Sequence, residues 1–198
     1  MPPPFTIRAV CADDIPAMCA IYAPYVESST ATWACAPAEL PDAAEWAPRW
    51  ARCAARRLPW LVACDAASGA VVGYCVVGEF RGRAGWRNTC EHGIYTAPGW
   101  QRRGVGRALL TACVAGCAAA GVACLMAVVS VHPASGAGAA SRALHAASGF
   151  EEVGYLRGAG SKLGLTLDCL LMCRYIAEEA AAAAAAAAEG GARAAAAQ

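Results

Sequence analysis

From Ala108 to Val129 the chain runs 22 residues without a charged side chain, long enough to cross a bilayer as one helix. Its content argues otherwise. It holds three Leu and one Met among Ala, Val, Cys, Gly and Thr, and Gly116 and Gly121 interrupt it where a spanning helix would gain nothing. The pattern predicts two elements in series: a helix from the glycine pair Gly104 and Gly106 to about Ala120, broken at Gly121, then a strand Val122 to Val131. That strand is apolar on both faces and so belongs in the middle of a sheet.

The flanking sequence supplies the rest of the sheet. Phe5 to Val10 reads as a strand; Asp13 and Asp14 open a helix with Pro16 in its first turn, ending near Tyr25 to Ser29. Asp42 to Arg57 predicts a second helix, with Trp46, Trp50 and Cys53 at helical spacing and its arginines on a solvated face. Strands follow at Trp60 to Cys64, Ala70 to Phe80 and Asn88 to Thr96. After the charge-free pair come a helix from about Ala139 to Ser148 and strands Glu151 to Arg157 and Leu165 to Tyr175. Strands joined by turns and strands joined by helices coexist. The expected fold is therefore α/β (α+β), a mixed central sheet of about seven strands with helices on both faces. A domain over residues 1–176 is followed by an alanine-rich extension, 177–198, with no patterned face to bury.

Composition narrows the function. The apolar fraction of 58% is inflated by alanine, which supplies more than a quarter of the residues. Sixteen Lys and Arg against fifteen Asp and Glu, with no basic cluster, argue against nucleic acid. Twelve scattered cysteines without a C-x-x-C pair, and three separated histidines, predict reduced thiols, a cytoplasmic setting and no metal site.

Chemistry is concentrated in Gln101-Arg102-Arg103-Gly104-Val105-Gly106-Arg107, between a strand and a helix. Glycines there let the backbone approach a ligand, and free N–H groups at a helix start favour an anion. A dinucleotide fingerprint lacks its third glycine and its acidic residue; a nucleotide P-loop lacks Gly-Lys-Ser/Thr. A phosphate turn and a plain tight turn both remain open on this segment alone.

The context resembles the GNAT N-acetyltransferase superfamily, in particular its phosphinothricin and methionine-sulfoximine acetyltransferase branch. The residues carrying the resemblance include Ile21-Tyr22, Tyr25-Val26, Ser29 to Trp33, Pro59 to Ala63, Val72 to Tyr74, Phe80-Arg81 with Arg83, Thr89 with Glu91, and Tyr95. They continue through Gln101-Arg102, Gly104 and Gly106 to Ser141, Leu144-His145, Gly149-Phe150 and Lys162. The resemblance implies acetyl-CoA as co-substrate, lodged where Asn88 to Thr96 and Val122 to Val131 run parallel and splay apart. Ile94, Tyr95 and Thr96 would pair with the pantetheine arm, Gln101 to Arg107 would hold the pyrophosphate, and Ser141 would help bind the cofactor. It also implies a homodimer.

Period-two alternation puts Thr89, Glu91, Gly93 and Tyr95 on one face. An ammonium group cannot attack a thioester. Deprotonation at pH 7 costs about 1.4 kcal/mol for an amine of pKa about 8, and about 4.6 kcal/mol at 10.4. A carboxylate base shares that cost, and Glu91 is the candidate; a solvated or Arg-paired strand glutamate is the alternative. His145 falls where relatives carry a proton donor for the departing thiolate, although a lone helical histidine can also be structural. Arg81 and Arg83 match a basic pair at the family's substrate mouth, with Tyr22, Thr32, Trp33, Thr89 and Lys162 as further substrate-side candidates. The expected reaction is acetylation of a small amino-acid-like amine. A protein or peptide acetyltransferase, or a non-catalytic CoA-binding module, are the alternatives. Two departures stand out: Gly138 occupies the place of a family asparagine after an insertion within Val131 to Ala140, and Leu165-Thr166 lack the family's aromatic residue.

Overall fold

In the computed structural model, which describes residues 3–179 and 181, the charge-free run divides at Gly121, whose φ of 73° ends the helix and turns the chain into the strand. The full order is β1 (Phe5–Ala9), α1 (Ile15–Ser28), α2 (Ala43–Ala55), β2 (Trp60–Asp65), β3 (Val71–Glu79), β4 (Thr89–Thr96), α3 (Val105–Ala119), β5 (Cys124–Val131), α4 (Ala139–Ala146), β6 (Glu151–Lys162) and β7 (Leu165–Tyr175). Short 3₁₀ turns at Ala12–Asp14, Pro37–Glu39 and Ala84–Trp86 complete it. The strand after Glu151 outruns its expected end at Arg157. Gly158, Ala159 and Gly160 break the alternation that marks a strand, but β6 continues through a register shift between Leu156 and Gly160. The alanine-rich tail lies, after its first turn, outside the described residues.

The seven strands lie in the order β1-β2-β3-β4-β5-β7-β6, with β4 and β5 the parallel pair and every other neighbour antiparallel. Helices cover both faces. An added Cβ on Gly73 would meet Val105 of α3, and His92 reaches His145 of α4, so α3 and α4 share one face. Tyr95, on the other face of β4, packs on Tyr22 and Tyr25 of α1, and Tyr74 beside it on Trp46 of α2. Leu109 and Leu110 of α3, Leu125 of β5 and Met172 of β7 are fully buried in the core, each worth about 2–5 kcal/mol against truncation to alanine. Gly116, which interrupted the helical pattern, lets α3 settle on the loop before β2: a Cβ there would stand 2.9 Å from Pro59.

The departure at Gly138 has a steric cause. This residue caps α4 at φ 85°, and a Cβ would collide with the Ser130 carbonyl and stand 2.6 Å from Val131 Cγ1. The inserted loop, closed by a bridge between His132 and Ala137, has taken a path that admits only glycine at this point.

Candidate active site

Strands β4 and β5 pair over three rungs, Thr89 with Cys124, Cys90 with Leu125 and Glu91 with Met126, and then part. Each stays bound to its outer neighbour. β4 remains paired with β3 to Thr96, and β5 with β7 to Val131. The result is a wedge whose walls are edges of main chain and whose apex is Glu91. Ile94, Tyr95 and Thr96 lie on the open wall. The Thr96 carbonyl accepts a hydrogen bond from the Tyr25 hydroxyl at 2.8 Å, which leaves its second lone pair for a ligand.

At the wide end stands the start of α3. Its first helical bond runs from Ala108 N–H to the Gly104 carbonyl, and no side chain caps the helix. The N–H groups of Val105, Gly106 and Arg107 are thus left without helical partners, an anion cradle by geometry. Gly104 enters it at φ 86° and Arg102 at φ 60°. Arg102, Arg103 and Arg107 are exposed around it, with the Arg103 guanidinium 5.0 Å from the centre of the Trp100 ring. Gln101 Oε1 accepts from Gly99 N–H at 2.9 Å and fixes the turn.

On the α1 and α2 face Glu91 is half-buried, and burial pushes its carboxyl above the ordinary value while Arg49 opposes that shift. Gly78, its partner on β3, lines a cavity of about 300 Å³ together with Arg49 and Arg52 of α2, Gly82 of the β3–β4 loop, and Arg56 just past α2, whose guanidinium donates to Glu79 and to the Arg87 carbonyl. Sequence periodicity assigned these arginines to a solvated face. Arg49 and Arg52 are indeed exposed, and the packing of α2 on β3 sets that solvated face along the cavity, adjoining the Arg81 and Arg83 loop. Arg81 lies against two rings, 5.3 Å from Phe80 and 5.4 Å from Trp86, and Arg83 is exposed. Thr89 shares the face of Glu91 at the closed end of the wedge. The Tyr22 and Thr32 hydroxyls share a hydrogen bond at 2.5 Å, and Trp33 packs over Gly160.

Lys162 departs from its expected place at the substrate. It is 5% exposed, and its ammonium donates to the carbonyls of Tyr25 at 2.8 Å and Thr32 at 3.1 Å. Tyr25 is among the last four residues of α1, whose carbonyls have no helical partner. Lys162 caps that helix and ties it to β6, so it supports the substrate side from behind.

His145 is also buried. Its Nδ1 faces the Ser141 carbonyl at 2.7 Å, with the Ser141 hydroxyl at 3.4 Å, and its Nε2 lies 3.0 Å from Nε2 of His92. His92 is a site residue that sequence reasoning missed. The signal was present: a histidine on the apolar side of a strand, next to Glu91, needs a polar partner inside the protein.

The arrangement of splayed parallel strands, an uncapped helix start at the wide end and a half-buried carboxylate at the apex has a match in known proteins. The model of the acetyltransferase (GNAT) family matches residues 26–150. The chain belongs to the GNAT acetyltransferases. It is 38% identical over 169 residues to a phosphinothricin N-acetyltransferase of Alcaligenes faecalis, covering 85% of this chain and 81% of that one. Against an L-methionine sulfoximine/L-methionine sulfone acetyltransferase of Pseudomonas paraeruginosa the figures are 36% over 167 residues, 84% and 92%. Among solved structures, a GNAT superfamily phosphinothricin acetyltransferase from Sinorhizobium meliloti in complex with acetyl-CoA aligns at a TM-score of 0.77 and 35% identity. That alignment covers 87% of this chain and 88% of the other. This GNAT enzyme uses acetyl-CoA as co-substrate, and the wedge and the free N–H groups of α3 are suited to its pantetheine arm and pyrophosphate. Among the described residues no group of His, Cys, Asp and Glu is placed to hold a metal ion, and no helix is long and apolar enough to cross a membrane.

Proposed function

We propose that this GNAT enzyme transfers acetyl from acetyl-CoA to the amine of a small, anionic, amino-acid-like substrate by direct attack in a ternary complex. The class is that of phosphinothricin and methionine sulfoximine. The observation that carries this reading is Glu91 at the wedge apex, half-buried and paired across the sheet with Gly78, which lines the cavity bordered by Arg49 and Arg52. Glu91 accepts the proton that the ammonium must lose, and its raised proton affinity brings it closer to a base working near neutral pH. Guanidinium groups bind carboxylate and phosphinate oxygens in paired hydrogen bonds. A free amino acid brings such groups on the same small molecule as its amine. The names of the two relatives support this substrate class. Twelve free thiols support a reducing, cytoplasmic setting.

The test is release of CoA thiol from acetyl-CoA with phosphinothricin, methionine sulfoximine, methionine sulfone, common amino acids and short peptides as acceptors. Turnover of one or more free amino acids is expected, with Arg52→Ala raising the amine KM by about 10-fold or more while the acetyl-CoA KM holds. Turnover of peptides alone would replace the proposed substrate class, and CoA binding without turnover of any amine would refute the reading.

A further inference from the structure

His92 and His145 meet at the point where β4 and β5 part. His92 Nδ1 faces the carbonyl of Met126, the last β5 residue paired with β4, at 3.0 Å; His145 Nδ1 faces the Ser141 carbonyl at 2.7 Å; the two Nε2 atoms are 3.0 Å apart. A carbonyl only accepts, so each Nδ1 has to carry the hydrogen, and a neutral imidazole has only one N–H. Two neutral rings in this frame present Nε2 lone pair to Nε2 lone pair. Moving one hydrogen to Nε2 repairs that contact but sets an Nδ1 lone pair against a carbonyl oxygen. For His145 the Ser141 hydroxyl at 3.4 Å compensates weakly. One additional proton, shared between the Nε2 atoms, satisfies every contact at once.

The surroundings oppose the charge this proton brings. His92 is 7% and His145 5% exposed. Burial pulls the His92 ring down to about 3, with the neighbouring His145 adding to the effect and the Met126 carbonyl resisting it. Burial lowers His145 too, against the Ser141 carbonyl. Among the described residues no carboxylate anchors the charge: on β4 Glu91 is on the opposite face, on α4 Arg142 is exposed and paired with Glu152, and Phe150 packs on both rings. The hydrogen-bond frame calls for a proton, and the apolar surroundings favour its release.

We propose that His92 and His145 work as one acid, holding a single proton between their Nε2 atoms and supplying it to the CoA sulfur as the thiolate leaves. His92 is the positioning and proton-sharing partner. This rests on the acetyl-transfer reading above. In the transfer a C–N bond forms and the C–S bond breaks, its electron pair remaining on sulfur. The amine enters as an ammonium and loses two protons; one is matched by the proton gained at sulfur and the other goes to solvent. The outlet from the pair is the Ser141 hydroxyl. Sulfur takes the Oγ proton, Oγ takes the His145 Nδ1 proton, and the shared proton settles on His145 Nε2. The pair is then neutral and is recharged from solvent.

His92→Asn tests this, because the Asn amide nitrogen can replace Nδ1 in the bond to Met126 while Nε2 is deleted. Since the pair acts protonated, kcat falls as pH rises through its proton affinity, and a lone His145 holds its proton less tightly. The expected result is a folded variant with acetyl-CoA KM within about 2-fold of wild type, kcat lowered by about 10-fold or more, and the alkaline limb of kcat shifted to lower pH. A kcat–pH profile superimposable on wild type, with only thermal stability reduced, would show a structural role and overturn the proposal. Imidazole ¹⁵N NMR of the wild-type enzyme decides the same question without a variant. Hydrogen on both Nδ1 atoms with one shared proton at Nε2 is expected on the acidic side of the alkaline limb of kcat; an unshared Nε2–H on one ring at every pH from about 5 to 9 overturns it. If no amine is acetylated, the proposed function fails by the turnover assay, while the NMR result still decides the state of the pair.

Discussion

Replacing Lys162 by Met separates a strut from a substrate ligand. The ammonium makes two hydrogen bonds to main-chain carbonyls, at 2.8 and 3.1 Å, and each bond from a charged donor contributes about 1.5–3 kcal/mol. Its position at the C-terminal end of α1 adds a favourable interaction with the helix dipole. Against this stands the cost of burying the charge, which pulls the ammonium below its ordinary proton affinity. Met keeps the volume but leaves the Tyr25 and Thr32 carbonyls without this donor. The net loss is about 2–3 kcal/mol, which for a domain of this size lowers Tm by roughly 5–10 °C. Thermal and urea denaturation read the stability, and amine KM is measured at a temperature where both proteins are folded. The expected result is the fall in Tm with amine KM within about 3-fold of wild type. An unchanged Tm with amine KM raised about 10-fold would refute the strut and return Lys162 to the substrate.

Three further outcomes are expected. Glu91→Gln should lower kcat by about 10²-fold or more while CoA binding persists; the acidic limb, which in wild type rises as the buried carboxyl ionises above its ordinary value, should vanish, and an unaltered pH profile would remove Glu91 as the base. Asp14 accepts two hydrogen bonds from Arg8, at 2.6 and 2.7 Å, and one from Cys11 N–H, which hold its carboxyl at about 2. A depressed carboxyl stabilises the fold above its unfolded pKa of about 3.9 and loses that contribution as pH falls through the folded value, so Asp14→Asn should cost about 1–2 kcal/mol at pH 7, discounted for the half-exposed Arg8, and almost nothing near pH 2 in urea titrations. Gly138→Asn, which restores the residue of the wider family, should destabilise by about 2–4 kcal/mol in denaturant without lowering the acetyl-CoA KM; a stable variant that binds acetyl-CoA more tightly would contradict the path drawn for the inserted loop.

Much of the fold is local and was legible as such. Gly121 cuts the apolar run because only a positive φ turns α3 into β5. Period-two alternation along β4 set Thr89, Glu91, Gly93 and Tyr95 on one face, and Gly104 with Gly106 marked a helix start. These are properties of a few consecutive residues, carried by backbone sterics and hydrogen bonding, so the sequence by itself determined the elements, their order and the glycine turn that starts α3. What the tertiary structure decided depends on residues far apart in the chain. Lys162 reads as a substrate-side candidate until β6 brings it beneath α1, where its ammonium donates to the Tyr25 and Thr32 carbonyls. Arg49 and Arg52 keep the solvated face that periodicity gave them, and only the packing of α2 on β3 sets that face along the cavity lined by Gly78, the cross-strand partner of Glu91. His92 and His145, 53 positions apart, become one proton-holding unit only because β4 parts from β5 at Met126 and α4 closes over the gap. No periodicity contains such pairings, since a hydrogen bond or a shared proton is fixed by distance in space and a sequence records only distance along the chain.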